Sequence, residues 1–237
     1  MDAARLHSPR RGRRGPGRAL TEDAIVDAAI TLLDEGGPPA ASVRGIATRV
    51  GVAPNAVYTY FPDKAAVVRA IVERLLGEVA AAAPVDPAVP WRDGVEALAL
   101  AVRRVLTAHP GAVPLMVGGP MDGPHALLLG ERLLELLGRA GLSPEDAAHA
   151  SYLLIVHAFG SMALEVADLD EVAAPLPPEA DRVAAREGTF AATPTEHFPL
   201  SAAVVPTMAA YVSTDQFVWG LRRILDGIEG QAAGQMP

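Results

Sequence analysis

Apolar side chains recur along this chain at the three- and four-residue spacing of one helical face, and nowhere as sustained strand alternation. Ile25, Ala28, Ala29, Leu32 and Leu33 share such a face behind Thr21, a natural N-cap, and Gly36-Gly37-Pro38-Pro39 stops the run. Ser42 then introduces the short segment Val43–Val50, which Gly51 ends. Pro54 opens a second short segment that runs out at Pro62. Asp63 is placed to cap a longer helix, with Val68, Ile71, Val72, Leu75, Leu76 and Val79 on one side.

Prolines 84, 87 and 90 mark a break, after which Trp91 to His109 reads as an amphipathic helix. Residues 110–124 are rich in Gly and Pro, with room for one short helix near Leu115. Ala126–Ala140 is Leu-rich, and Gly141 suits its stop. Ser143-Pro144-Glu145-Asp146 combines a cap, a first-turn proline and first-turn acids ahead of a helix to about Val166. Residues 168–199, with five prolines, are expected to form a long irregular connection. A helical run over Leu200–Tyr211 follows. Ser213 and Gln216 then have capping-box spacing for a last helix carrying Phe217, Leu221, Ile224, Leu225 and Ile228 on one face. The predicted fold is all-α.

At 237 residues the chain can bury a sizeable core, and without cysteine it has no disulfide, thiolate metal site or cysteine nucleophile. No secretory signal is evident at the start. The most apolar stretch, Ala147–Leu164, reads as a buried helix, so a cytoplasmic protein without a membrane partner is expected. The net charge of −8 argues against a nucleic-acid partner until it is divided by position. Residues 1–75 hold eleven basic and eight acidic side chains, whereas residues 76–237 hold nine and twenty. Six of the arginines (Arg5, Arg10, Arg11, Arg13, Arg14 and Arg18) lie in residues 1–19, a segment with too little apolar content to fold alone. A basic head on an acidic body points to a polyanion at one end.

The informative segment is residues 42–64, SVRGIATRVGVAPNAVYTYFPDK. Two short helices joined through glycine make a helix-turn-helix, whose second helix enters the major groove. Ile46, Ala47, Val50, Val52 and Val57 can fill the space between the helices, leaving Arg44, Asn55, Thr59 and Tyr60 to face outward. Residues 21–72 resemble the DNA-binding domain of the tetracycline-repressor (TetR) family. The likeness lies in the Val43–Val50 run, Gly51-Val52-Ala53, the run from Ala56 to Phe61, and Asp63-Lys64. Gly141-Leu142-Ser143-Pro144-Glu145 and FVWGLRRILDG at Phe217–Gly227 are similar to the C-terminal domain of the tetracycline-repressor branch.

The resemblance implies a three-helix DNA-binding domain (20–66) behind the arm (1–19), and a larger ligand-binding and dimerisation domain (67–230). It implies a homodimer on a palindromic double-stranded operator, released when a small effector binds. Tyr58, Tyr60 and Lys64 are the expected phosphate contacts; Pro54, Asn55 and Thr59 face base edges, and Arg44 reaches a guanine or a phosphate. Candidate effector contacts are His109, Met116, Met121, His125, Tyr152 and His157. The subunit contact is expected at Phe159, Gly160, Phe217, Gly220, Leu221 and Ile224. Leu115, or an apolar neighbour, occupies the place of a histidine that holds magnesium in tetracycline repressors. An apolar effector is therefore expected, with no metal and no cofactor. Activation instead of repression, or DNA binding without a ligand, is left open. No catalytic motif is present to support an all-helical enzyme, and a pure protein-binding module leaves Tyr58–Lys64 unexplained.

Overall fold

The computed structural model describes residues 20–84, 86–167 and 176–235, and within these every regular element is a helix. The arginine arm of residues 1–19 lies outside the described residues. The reading head comprises α1 (Glu22–Ala40), α2 (Val43–Val50) and α3 (Pro54–Val57). Then come α4 (Lys64–Ala82), α5 (Trp91–Ala108), α6 (Val113–Gly118), α7 (Pro124–Arg139) and α8 (Pro144–Ala167). The chain closes with α9 (Glu179–Phe190), α10 (Pro199–Ala203), α11 (Val205–Ala209) and α12 (Thr214–Gln235).

The caps read from the sequence form as expected. Thr21 Oγ1 accepts from Ala24 N (3.1 Å), Ser42 Oγ from Gly45 N (3.1 Å), Asp63 Oδ1 from Ala66 N (2.8 Å) and Ser213 Oγ from Gln216 N (3.1 Å). Gly36-Gly37 kinks α1 rather than ending it, because Pro38–Ala40 regain one helical turn; Gly37 takes φ 64°, ψ −168°, a conformation open essentially to glycine alone. The run expected over Leu200–Tyr211 is broken between α10 and α11 at Val204, two residues before Pro206, which has no backbone donor.

One expectation is corrected. Residues 168–199 do not form an irregular connection throughout, since Glu179–Phe190 is helical. None of its residues is fully buried, so it carries no apolar stripe from which a period could be read. Its start signal, Pro178 followed by Glu179 and Asp181, is nonetheless of the same kind as Pro144-Glu145-Asp146.

A continuous apolar core runs from the reading head through α4 into the bundle, from Ile25, Leu33, Ile46 and Val57 to Ile71, Leu75, Leu106, Leu137, Met162, Leu221 and Leu225. Within that core lies a buried charge cluster. The Arg103 guanidinium pairs with both Glu165 oxygens (2.5 and 3.2 Å) and lies 5.4 Å over the Phe217 ring. Arg182 of α9 also bonds Glu165. Glu179 accepts from the Thr214 backbone N (2.9 Å) and Oγ1 (2.7 Å) at the start of α12. Burial raises the Glu179 carboxyl, but these bonds and the Arg103 and Arg182 charges outweigh it and hold the pKa below its ordinary value. The cluster thus ties α5, α8, α9 and α12 at one point.

Candidate DNA-reading head and effector cleft

The turn of the helix-turn-helix depends on Gly51. It sits at φ 76°, ψ 33°, and the Val52 N–H reaches back to Ala47 O (2.9 Å), closing α2 in the manner of a Schellman cap. Gly45 is equally constrained, since a Cβ there would lie 2.5 Å from Ala40 O, where α2 abuts the end of α1. With Val57 and Phe61 buried, the remaining side chains of the second helix and its C-terminal turns face outward: Pro54, Asn55, Tyr58, Thr59 and Tyr60 are all exposed. Arg44 and Lys64 are exposed beside them. All seven residues expected to meet DNA therefore lie on the surface of the reading head. Two already have partners: the Thr59 hydroxyl donates to Asn55 O (3.5 Å), and the Tyr60 hydroxyl donates to Leu20 O (2.7 Å), fastening the point where residues 1–19 join the head.

Behind the head, α4 is attached on both sides. Arg74 pairs with Asp27 (2.6 Å) and Asp23 of α1. On the opposite side Glu73 accepts from the His125 backbone N (2.9 Å), so its carboxylate caps the start of α7. Arg69 pairs with Asp122 just before α7. A second link joins α1 directly to the bundle. The C-terminal residue of the α5 turn, His109, places Nδ1 2.9 Å from Asp34 Oδ2, and Gly111 lies so close to α1 that a Cβ would be 2.0 Å from Leu33 O. The bond to Asp34 outweighs partial burial and raises the His109 pKa above its ordinary 6.5.

Helices α4 to α8 enclose a cleft of about 710 Å³, well within the range of small-molecule sites. Leu76 of α4, Leu98 and Val102 of α5, and Leu133 of α7 contribute to its walls. Three of the six expected effector residues, Met116, Met121 and Tyr152, line it. The three histidines do not. His109 is taken by Asp34; His125 packs against Gly77 and lies 3.2 Å from Glu73; His157 bonds Phe217 O (3.0 Å) and fills the bare face of Gly220. Each is a structural histidine with a partner. Among the described residues no cluster of His, Asp and Glu could hold a metal ion.

The expected subunit contact is also redistributed. Phe217 and Leu221 are 3% and 0% exposed within the single chain, so they are core residues and not available to a partner. Gly220 meets His157, Phe159 lines the cleft, and Ile224 is half-buried. Gly160, which like Val156 also borders the cleft, has open space over it, as does Gly227 on α12. Around them Leu153, Val156 and Leu164 of α8 and Trp219 of α12 are exposed. α8 is the one helix among the described residues long and apolar enough to cross a membrane, yet it packs against α7, α6, α5 and α12.

Residues 25–71 match the family described as bacterial regulatory proteins, tetR family, and residues 83–232 match the tetracyclin repressor-like C-terminal domain. The chain belongs to the tetR family of bacterial regulatory proteins. The relatives it matches are named as transcriptional regulators and repressors. The regulator is similar to an HTH-type transcriptional regulator of Saccharopolyspora erythraea, 34% identical over 62% of this chain and 61% of the relative, less than two thirds of that protein's length. It is 27% identical to the HTH-type transcriptional repressor DrrR1 of Streptomyces coeruleorubidus, over 93% of this chain and 81% of the relative. In fold it resembles Streptomyces coelicolor ActR in complex with actinorhodin, with TM-score 0.74 and 23% identity, covering 91% of this regulator and 99% of ActR.

Several functional side chains escaped sequence reasoning. The partners Asp34–His109 and Glu73–His125 are 75 and 52 residues apart, and Arg103–Glu165 are 62 apart. No local spacing announces such pairs.

Proposed function

We propose that this regulator is a cytoplasmic homodimeric repressor that leaves a palindromic operator when a small, largely apolar effector fills the cleft between α4 and α8. The observation that carries the reading is that the cleft wall includes Leu76 of α4, the helix that begins at the reading head and is ion-paired to it through Arg74. A ligand that shifts α4 must move α1 with it, and the two heads of a dimer would then lose their spacing of about one DNA turn. On the DNA side, Asn55 and Thr59 read base edges, with Pro54 against them. Tyr58, Lys64 and Arg44 hold phosphates. The Tyr60 bond to Leu20 makes that residue the anchor of the arm, and donation to a phosphate requires this bond to open. Exposed apolar residues of α8 and α12 around Gly160 and Gly227 supply the subunit contact.

The test is fluorescence anisotropy with labelled DNA from upstream of the regulator's own gene and its divergent neighbour. Tight, sequence-selective and salt-sensitive binding is expected. Lys64→Ala should weaken it across all sequences and lower the salt slope by about 1, whereas Asn55→Ala should cost about 1–3 kcal/mol at particular bases. Binding equal for all DNA would refute the reading.

A further inference from the structure

The cleft is apolar along nearly its whole wall. Among its lining residues Glu131 is the one charged side chain, and the Tyr152 hydroxyl is the other strongly polar group. No Lys, Arg or His lines it. Among the described residues Glu131 has no hydrogen bond or ion pair, whereas Glu96, Glu165, Glu179 and Asp226 of the bundle are paired. Its neighbour Arg132 does not neutralise it. That guanidinium turns to the end of α4 and donates to Ala80 O (2.9 Å). Glu135, one helical turn along α7, adds like charge to the same side. Gly130, beside Glu131, has nothing within 4 Å of the place where a Cβ would stand, so a ligand can approach the α7 backbone closely here. Two aromatic side chains, Tyr152 and Phe159, complete the α8 wall.

A carboxylate without a cation, aromatic faces and an apolar floor together define a chemical preference. Ring faces and the carboxylate both attract positive charge, and the apolar wall can bury a ligand's apolar body although Glu131 and Tyr152 are themselves exposed. A ligand carboxylate or phosphate would meet no cation among the lining residues and repulsion from Glu131. We infer that Glu131 makes the cleft selective for an effector that carries a cationic amine on an aromatic or otherwise apolar body. The inference rests on the cleft being the effector site. Glu131 is then the specificity-determining residue, with Tyr152 and Phe159 as cation-facing rings.

The test uses purified full-length regulator without DNA and three fluorescent probes: rhodamine 6G (aromatic cation), Nile red (aromatic, neutral) and anilinonaphthalene sulfonate (aromatic anion). The wild type should bind the cation most tightly and the anion least. Glu131→Gln should cut the preference for rhodamine 6G over Nile red about tenfold, and Glu131→Lys should reverse the order of cation and anion. Gly130→Trp, which fills the cleft, should abolish binding of all three. Nile red bound and displaced by Gly130→Trp, with the cation preference unaltered in Glu131→Gln, overturns the charge selectivity while the cleft stands as the effector site. Absence of probe binding, or binding indifferent to Gly130→Trp, overturns the effector-cleft reading and the inference with it.

Discussion

At the scale of single residues, the junction between reading head and bundle depends on very short-range geometry. Gly111 is there because α1 passes too close for any side chain, and His109 because Asp34 needs a donor at a half-buried position. The His109–Asp34 pair has a defined pH dependence. Since pairing raises the His109 pKa in the folded protein, the pair stabilises fully below the unfolded value of 6.5 and loses that contribution as pH rises through the raised value. His109→Gln should therefore lower the urea midpoint most below pH 6.5, with the gap to wild type closing as pH rises through the raised value. A gap that is constant with pH would show that the pair is not charged when formed. Sequence alone presents His109 as one of six scattered histidines and an effector candidate. Its true partner lies 75 residues away, and only the folded chain brings the two together.

At the scale of elements, local rules carried far. Thr21, Ser42, Asp63 and Ser213 cap the helices they precede, because a side-chain acceptor three residues before a free N–H is a matter of local geometry. The same rules passed over α9, whose sequence EADRVAAREGTF has a helix start but no buried stripe. What keeps α9 in place is a tertiary cluster, Arg182 on Glu165 and Glu179 on Thr214. Arg103 is its centre, 4% exposed and bonded to the 3% exposed Glu165. Replacing Arg103 by Met leaves Glu165 buried with Arg182 as its remaining cation. The expected loss is about 3 kcal/mol, seen as a lower urea midpoint, because Glu165 stays buried with one cation in place of two and Glu179 and Val212 O lose the Arg103 guanidinium. A midpoint unchanged in Arg103→Met would mean that the cluster adds nothing to stability. Glu165→Leu added to Arg103→Met strips Arg182 of its carboxylate, so recovery of part of the loss is expected only when Arg182→Met is added as well.

At the scale of the whole molecule, the distribution of charge and of apolar surface assigns different tasks to different ends. The reading head presents Arg44, Tyr58 and Lys64 to solvent, while the bundle is strongly acidic and would be repelled from a duplex. On the bundle, α8 leaves Leu153, Val156 and Leu164 uncovered beside open Gly160, next to Trp219 and open Gly227 of α12. A second copy of the chain on this face, as proposed above, would account for so apolar a surface. Leu153→Arg combined with Gly227→Arg should therefore give monomers in sedimentation at micromolar concentration. Operator affinity should fall by at least about tenfold, since each half-site is then bound alone. Persistent dimers in that variant would place the subunit contact elsewhere.

Legible along the chain was most of what near neighbours govern: an all-α fold, the caps, the glycine turn at Gly51, and the outward side chains Asn55, Thr59 and Tyr60. These follow from backbone geometry and helical period, which act over a few residues. Only the tertiary structure decided which side chains share a wall. It took the histidines out of the cleft, put Phe217 and Leu221 inside the chain, and left Glu131 as the one charge facing an apolar space. Burial and pairing depend on the positions of distant helices, and a one-dimensional pattern shows a helix's apolar face without saying what covers it.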